Sequence, residues 1–254
     1  MTIADFKNRM LSGEMLAGTF LKTPAYELIE VLAKSGLDFL CLDAEHAPFD
    51  RARLDMCLAM GRALDFPLLV RPAAATPADV LQALDAGAVG IVAPHIDSAA
   101  KAAGLAKMCH FGEGGRGYAG STRWAGFATR KMSYVLDQSA ETIVIAQIEE
   151  PAGLEAVEDI AATEGIDGLF LGPADLSVGY GKTDQASAEL QAAFARCGAA
   201  AQAAGKAYMT FVGNATQADG LRHHGLTMFF VASEHSWMRA GAAAEAMGIH
   251  KLKR

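Results

Sequence analysis

The chain has 254 residues, 52% of them hydrophobic, with 29 acidic and 22 basic side chains and four cysteines. That content can bury a sizeable core, and the length matches one α/β barrel of roughly 250 residues more simply than two small domains. The net charge of −7, with basic residues thinly spread from Lys7 to Arg254, offers nucleic acid no continuous cationic surface.

MTIADFKNRM alternates charged and apolar residues without an apolar targeting core, and nowhere do about 18 apolar residues run together. The expectation is a soluble cytoplasmic protein, one domain over 1–254, with no nucleic-acid or membrane partner. Cys41, Cys57, Cys109 and Cys197 lie far apart with no CxxC pair, mostly within apolar patterns, and read as reduced core residues.

In chain order, eight short apolar runs read as strands. They are MLAGTF (15–20), DFLCLD (38–43), PLLVR (67–71), VGIVA (89–93), TIVIAQIE (142–149), DGLFL (167–171), AYMTFV (207–212) and TMFFVA (227–232). Amphipathic helical stretches alternate with them, as from Pro151 to Ile160, where a proline opens the helix and Leu154, Val157 and Ile160 recur on one face. Alternating βα units predict a parallel sheet, and eight strands predict an α/β fold of the (β/α)8 TIM-barrel kind. A doubly wound sheet would need its glycine fingerprint after the first strand, and GTFLKTP is not one.

One segment breaks the rhythm. HFGEGGRGYAGSTRWAGFATR (110–130) is rich in Gly and Arg and has no periodicity. Gly112, Gly114 and Gly117 match G-x-G-x-x-G formally, but the motif follows a helix and leads into Tyr118-Ala-Gly, so dinucleotide binding is rejected. The segment is expected to be a long ordered loop on the catalytic face.

Barrel enzymes carry their chemistry at the C-terminal strand ends. Here those ends read Asp43-Ala-Glu-His46, Arg71-Pro72, Gln147-Ile-Glu149-Glu150 and Gly172-Pro-Ala-Asp175. Strand alternation puts Ile143, Ile145, Gln147 and Glu149 on one face, Phe39, Cys41 and Asp43 together, and Leu69 with Arg71. With that face inward, Asp43, Arg71, Gln147 and Glu149 point into the mouth and Glu150 faces the helix layer.

Glu149 and Asp175 are 26 residues apart, room for one helix and two loops, and end consecutive strands. Such strands lie about 5 Å apart, so the two acids can reach a single ion. A sparse pair of carboxylates suits Mg²⁺ or a similar hard ion that keeps several waters. The alternative is a metal-free acid/base pair, which needs one raised pKa that nothing in the sequence indicates.

DAEHAPFD, LLVRP, AQIE and GLFLGPADLS, in this order and at these intervals, resemble the HpcH/HpaI aldolase family of metal-dependent pyruvate aldolases in the phosphoenolpyruvate/pyruvate barrel superfamily. The likeness spans roughly residues 13–232. It implies that Glu149 and Asp175 bind the metal, Mg²⁺ or Mn²⁺ with Co²⁺ or Zn²⁺ as alternatives, and that no organic cofactor is used. It implies substrate contacts at Asp43, Arg71 and Gln147 and along Gly172, Pro173, Ala174 and Asp175. His46 becomes the proton acceptor, Asp85 the carboxylate that supports its basicity, and Arg71 the stabiliser of the enolate. The substrates implied are pyruvate, or a similar 2-oxo acid such as hydroxypyruvate, and an aldehyde, joined as a 4-hydroxy-2-oxo acid.

The residues alone leave plainer readings open. His46 also fits a helix cap, Asp85 a solvated helix face, and Arg71 a surface pair, while His95 fits a loop or supporting role better than that of a third ligand. His223 and His224 close a helix, where they favour its C-terminal dipole. Lys22, just past the first strand, is poorly placed as a Schiff-base nucleophile and better placed to bind an acidic group on the acceptor. A citrate-lyase-like enzyme cleaving an acyl-CoA would draw basic residues for the CoA phosphates from the 110–130 loop. A third alternative is a non-catalytic barrel that binds a 2-oxo acid. After Ser233, Trp237, Met238 and an Ala-rich stretch give an apolar face longer than an isolated barrel needs. The resemblance implies that this C-terminal helix is exchanged between subunits of a homo-oligomer built from dimers, a hexamer in such relatives.

Overall fold

In the computed structural model, which describes residues 2–252, eight parallel strands close into a barrel in sequential order. The single-domain expectation over 1–254 also covers Met1, Lys253 and Arg254, which lie outside the described residues. The strands are β1 (Leu16–Leu21), β2 (Phe39–Asp43), β3 (Leu68–Arg71), β4 (Gly90–Ala93), β5 (Ile143–Ile148), β6 (Gly168–Leu171), β7 (Ala207–Val212) and β8 (Met228–Ser233). All eight fall on the predicted runs, because each apolar run is buried on both faces and flanked by turn or helix-cap residues. Among the described residues no helix is long and apolar enough to cross a membrane.

The barrel interior and the helix layer form two separate cores. Phe39, Cys41, Leu69, Ile143, Ile145 and Phe170 pack inside, whereas Leu40, Leu42, Val70, Val144, Ala146 and Ile148 pack outward against the helices. The predicted parity therefore holds. Phe230 stacks against Phe39 at 4.9 Å and against Phe170 at 4.8 Å between ring centroids, in the edge-to-face arrangement that suits the ring quadrupoles. The interior is filled, and chemistry is confined to its two ends.

The sequence reading did not anticipate α1 (Ile3–Leu11), which plugs the N-terminal end by burying Phe6 and Met10 in the interior cluster. Lys7 fixes it, with Nζ donating to the carbonyls of Ala140 (2.9 Å) and Thr142 (2.8 Å) and pairing with Asp167 at 3.0 Å. The next helices are α2 (Tyr26–Leu32), α3 (Arg51–Ala63), α4 (Pro77–Ala86) and α5 (Ala99–Cys109). Side-chain caps start α3 and α4: Asp50 accepts from the Arg53 amide and Thr76 from the Asp79 amide, with Pro77 in the first turn of α4. α6 (Met132–Asp137) precedes β5. The stretch expected as one helix from Pro151 is two, α7 (Pro151–Glu155) and α8 (Val157–Ala162), broken at Ala156, whose ψ of 10° leaves the helical range. Then come α9 (Pro173–Gly179), α10 (Ala188–Ala203), α11 (Ala215–Leu221) and α12 (Glu234–His250). His223 and His224 fall in a short 3₁₀ turn after α11.

The 110–130 loop does not lie on the catalytic face, contrary to expectation. It connects a helix to the start of β5, which places it at the N-terminal side of the barrel. There the Trp124 amide donates to the Asp85 carbonyl at 3.4 Å, Arg123 donates to the Ala86 carbonyl at 2.6 Å and to Asp55, and Arg62 in the last turn of α3 lies over the Trp124 ring. Of its aromatic side chains Trp124 is buried against these helix ends, whereas Tyr118 and Phe127 are exposed.

The four cysteines are buried free thiols. Burial pushes the Cys57 thiol up to about 11 and those of Cys109 and Cys197 up to about 12, so none is a nucleophile near neutral pH.

Candidate functional site

At the C-terminal end of the barrel, parallel pairing sets Asp43 beside Arg71 and Gln147 beside Phe170, so that Glu149 emerges next to Gly172. Arg71 is buried, and its Nε and Nη2 donate to the two oxygens of Asp43 at 3.0 and 2.9 Å, a forked geometry that fixes the guanidinium. The Phe20 ring lies 4.3 Å below the guanidinium carbon. Asp43, with none of its surface exposed, also accepts from Lys22 Nζ at 2.8 Å and from the His46 amide at 3.2 Å. Burial works to raise the Asp43 pKa, but hydrogen bonds and charge from Arg71, then Lys22, outweigh it and hold the carboxyl below its ordinary value. For Arg71 burial works downward and Asp43 upward, with a net rise.

The opposite side of the mouth carries acids with few cations. Glu149 is 3% exposed, and it accepts from the Gln147 side-chain amide and from the main-chain N–H of His95 at 2.8 Å. Burial is the chief reason its pKa is raised; the hydrogen bonds from His95 and Gln147 pull the other way without cancelling it. The His95 ring spans further carboxylates, with Nδ1 at 2.8 Å from Glu150 Oε1 and Nε2 at 3.4 Å from Glu45 Oε1. Burial lowers the His95 pKa, but the Glu149 charge and the Glu150 hydrogen bond overcome it, and the pKa is raised.

Glu45, His95 and Glu149 bring ligand atoms within 4.8 Å of one another. Gln147 Oε1 is a buried acceptor without a hydrogen-bond donor, and buried Glu45 Oε2 has only the charge of Arg71, whose Nε lies 3.2 Å away outside hydrogen-bond geometry. Buried orphan acceptors beside a buried carboxylate fit a hard divalent cation with bound water, whose donor set is oxygen. At Gly172 a Cβ would lie 2.8 Å from the Glu149 Cβ, so glycine is what allows the β6 exit to pass this close. Three residues on, Asp175 stands in the first turn of α9, exposed to solvent, after buried Pro173 and exposed Ala174.

Two expected partners do not meet within one chain. His46 is exposed at the β2 exit, with Nε2 3.7 Å from Glu45 Oε2. Asp85 lies at the other end of the barrel, in the last turn of α4, where it accepts from Arg116 Nη2 at 2.6 Å. Arg116 is itself buried between the Phe111 and Trp124 rings. Asp85 therefore does not support His46 inside a single barrel.

Two residues at the mouth escaped the sequence reading. Glu45 continues the parity of Asp43 past the strand end, a usable signal that the neighbouring His46 masked. Glu234, the first residue of α12, gave none. It is 2% exposed and accepts from the main-chain N–H groups of Lys22 (3.0 Å) and Thr23 (2.6 Å), which seats the β1 exit and hence Lys22 over Asp43.

A filled (β/α)8 barrel whose C-terminal mouth joins a locked arginine to a carboxylate pocket is an enzyme-type site of the cation-assisted kind. The sequence profile of the HpcH/HpaI aldolase/citrate lyase family matches residues 16–240, and the chain belongs to that family. It is 36% identical over 240 residues, 91% of this chain and 92% of the other, to a hydroxypyruvate/pyruvate aldolase of Paraburkholderia phytofirmans. It is 34% identical to a 4-hydroxy-2-oxovalerate aldolase of Rhodococcus jostii, covering 81% of this chain and 80% of that one. The crystal structure of an HpcH/HpaI aldolase/citrate lyase family protein from Burkholderia cenocepacia superposes with a TM-score of 0.92 at 34% identity, covering 97% of this chain and 99% of that one.

Proposed function

We propose that this chain is a divalent-metal-dependent aldolase, a carbon–carbon lyase that joins the enolate of pyruvate or hydroxypyruvate to an aldehyde and cleaves the resulting 4-hydroxy-2-oxo acid. One observation carries the reading: Arg71, locked by Asp43, faces a pocket in which buried Glu149 sits beside the donorless Gln147 Oε1. Glu149 and Asp175 would hold the cation, Mg²⁺ or Mn²⁺ by the oxygen donor set. Bound there, it would polarise the ketone of a 2-oxo acid and make its C3 protons more acidic.

The chain's own residues supply the rest. Arg71 is fixed before the substrate arrives, so its donors need no reorganisation to meet developing enolate charge. Gln147 and the Gly172–Asp175 backbone orient the 2-oxo acid. His46 is exposed at the rim beside Glu45, and its ring would take the C3 proton on a nitrogen and later return one. Asp43 contacts substrate only through the Arg71 and Lys22 donors it holds.

We extend the proposal to assembly and location. Trp237, Met238, Met247 and Ile249 of α12 are exposed, and a second copy of the chain would cover them in a homo-oligomer. Light scattering should give a mass well above one chain, and a monomer would refute this. The four reduced thiols agree with a cytoplasmic setting.

Deuterium incorporation at C3 of pyruvate in D₂O, followed by proton NMR, tests the activity. Exchange with Mn²⁺ or Mg²⁺ that stops with chelator is expected. No exchange would leave a binding module, and exchange that needs a thioester would indicate an acyl-CoA lyase.

A further inference from the structure

His95 is one of five non-glycine residues among those described with φ in the left-handed region, at +57°. L side chains enter that region rarely, and at functional sites such a backbone is kept when it aims a group. β4 ends at Ala93 and Pro94 follows; the chain then turns at His95 so that two successive amides face β5. The His95 N–H donates to Glu149 Oε1 at 2.8 Å, and the Ile96 N–H donates to the Gln147 carbonyl at 3.3 Å. The ring, more than half exposed, lies against Glu150 and Glu45 and brings Nδ1 to 3.3 Å from the same Glu149 oxygen, farther than the main-chain N–H.

We propose that His95 is a positioning residue that holds the Glu149 carboxylate for the cation through its main-chain N–H, aimed by a left-handed backbone. The inference rests on the cation site proposed above, but it assigns the work to the backbone of residue 95 rather than to its imidazole. One carboxylate oxygen is pinned by that amide and the other by the Gln147 side-chain amide, which fixes the rotation of the carboxylate about its own axis. Partners of this kind typically change metal affinity by about 10- to 100-fold.

Substitutions separate backbone from ring. His95→Gly and His95→Asn remove the imidazole but tolerate a positive φ; His95→Val resists it. Mn²⁺ affinity is read by electron paramagnetic resonance of the free ion, with no turnover needed, after circular dichroism confirms the fold. Gly and Asn are expected within about threefold of the natural protein, and Val weaker by tenfold or more. Should Val fail to fold, Ala replaces it, expected to bind more weakly than Gly. Equal losses in all variants would make the ring responsible and overturn the proposal, as would no loss in any. If the natural protein binds no Mn²⁺ at all, the cation site fails and this inference with it; a natural protein that binds while His95→Val binds equally well sinks the inference alone.

Discussion

The two sides of the catalytic mouth are finished to different degrees. On the β1–β3 side, Asp43, Arg71 and Lys22 satisfy one another, and Glu234 anchors the loop that carries Lys22. On the β4–β6 side, Glu149 and Glu150 share the His95 ring with Glu45 of the β2 exit, which also meets Arg71 Nε at 3.2 Å, and Gln147 Oε1 stays without a donor. The first side holds a guanidinium fixed in advance. The second is complementary to something positive that the protein does not itself supply.

The largest expected effect breaks the finished side. Asp43→Asn removes the acid from a buried pair and leaves Arg71 only Glu45, 3.2 Å from its Nε, which should cost up to about 3–5 kcal/mol of stability in denaturant titration. A loss under about 1 kcal/mol would mean that the pair is not buried as described. Next, Arg71→Met should leave Mn²⁺ binding intact and lower kcat by about 10²–10³-fold, the scale for one oxyanion donor. An unchanged kcat would remove Arg71 from the chemistry.

The two sides should also answer pH in opposite senses. Asp43 has a depressed pKa, so its contribution to stability is present above the ordinary carboxylate range and lost as pH falls through the lowered value. Glu149 has a raised pKa, so in metal-free protein its contribution is present at low pH and lost as pH rises through that value. Metal-free Glu149→Gln should therefore melt above the natural protein at neutral pH, and saturating Mn²⁺ should reverse the order. Identical melts without metal would show that Glu149 is not held against its charge.

The smallest effect belongs to the rim. Lys22 is partly exposed, so Lys22→Met should raise KM for an aldehyde carrying a carboxylate by less than about tenfold and leave a neutral aldehyde alone.

Much of this contrast was legible in the sequence. The eight strands were visible because every strand is apolar along its length. The interior cluster follows the inward parity, but past the strand end the parity lapses: Glu150, expected on the helix layer, shares His95 Nδ1 with Glu149 at the mouth. The place of the 110–130 loop was legible although its composition carries no direction: it lies between a helix and the fifth strand, and such a connection falls at the N-terminal end of a barrel. Asp85 is a similar case. Its place late in α4 was clear, and a helix that follows a barrel strand returns to the opposite end, so its distance from the mouth of the same chain could have been read from the topology. For His95 the sequence suggests a loop or supporting role, yet its shortest contact with Glu149 is made by a main-chain N–H, which has no letter in the sequence.

The central claim is that Glu149 and Asp175 grip one divalent ion. Titrating Mn²⁺ into the natural protein, Glu149→Gln and Asp175→Asn, with bound ion counted by electron paramagnetic resonance, tests it directly. One ion per chain is expected in the natural protein, with a large loss of affinity in both variants. Undiminished binding in either variant would contradict it.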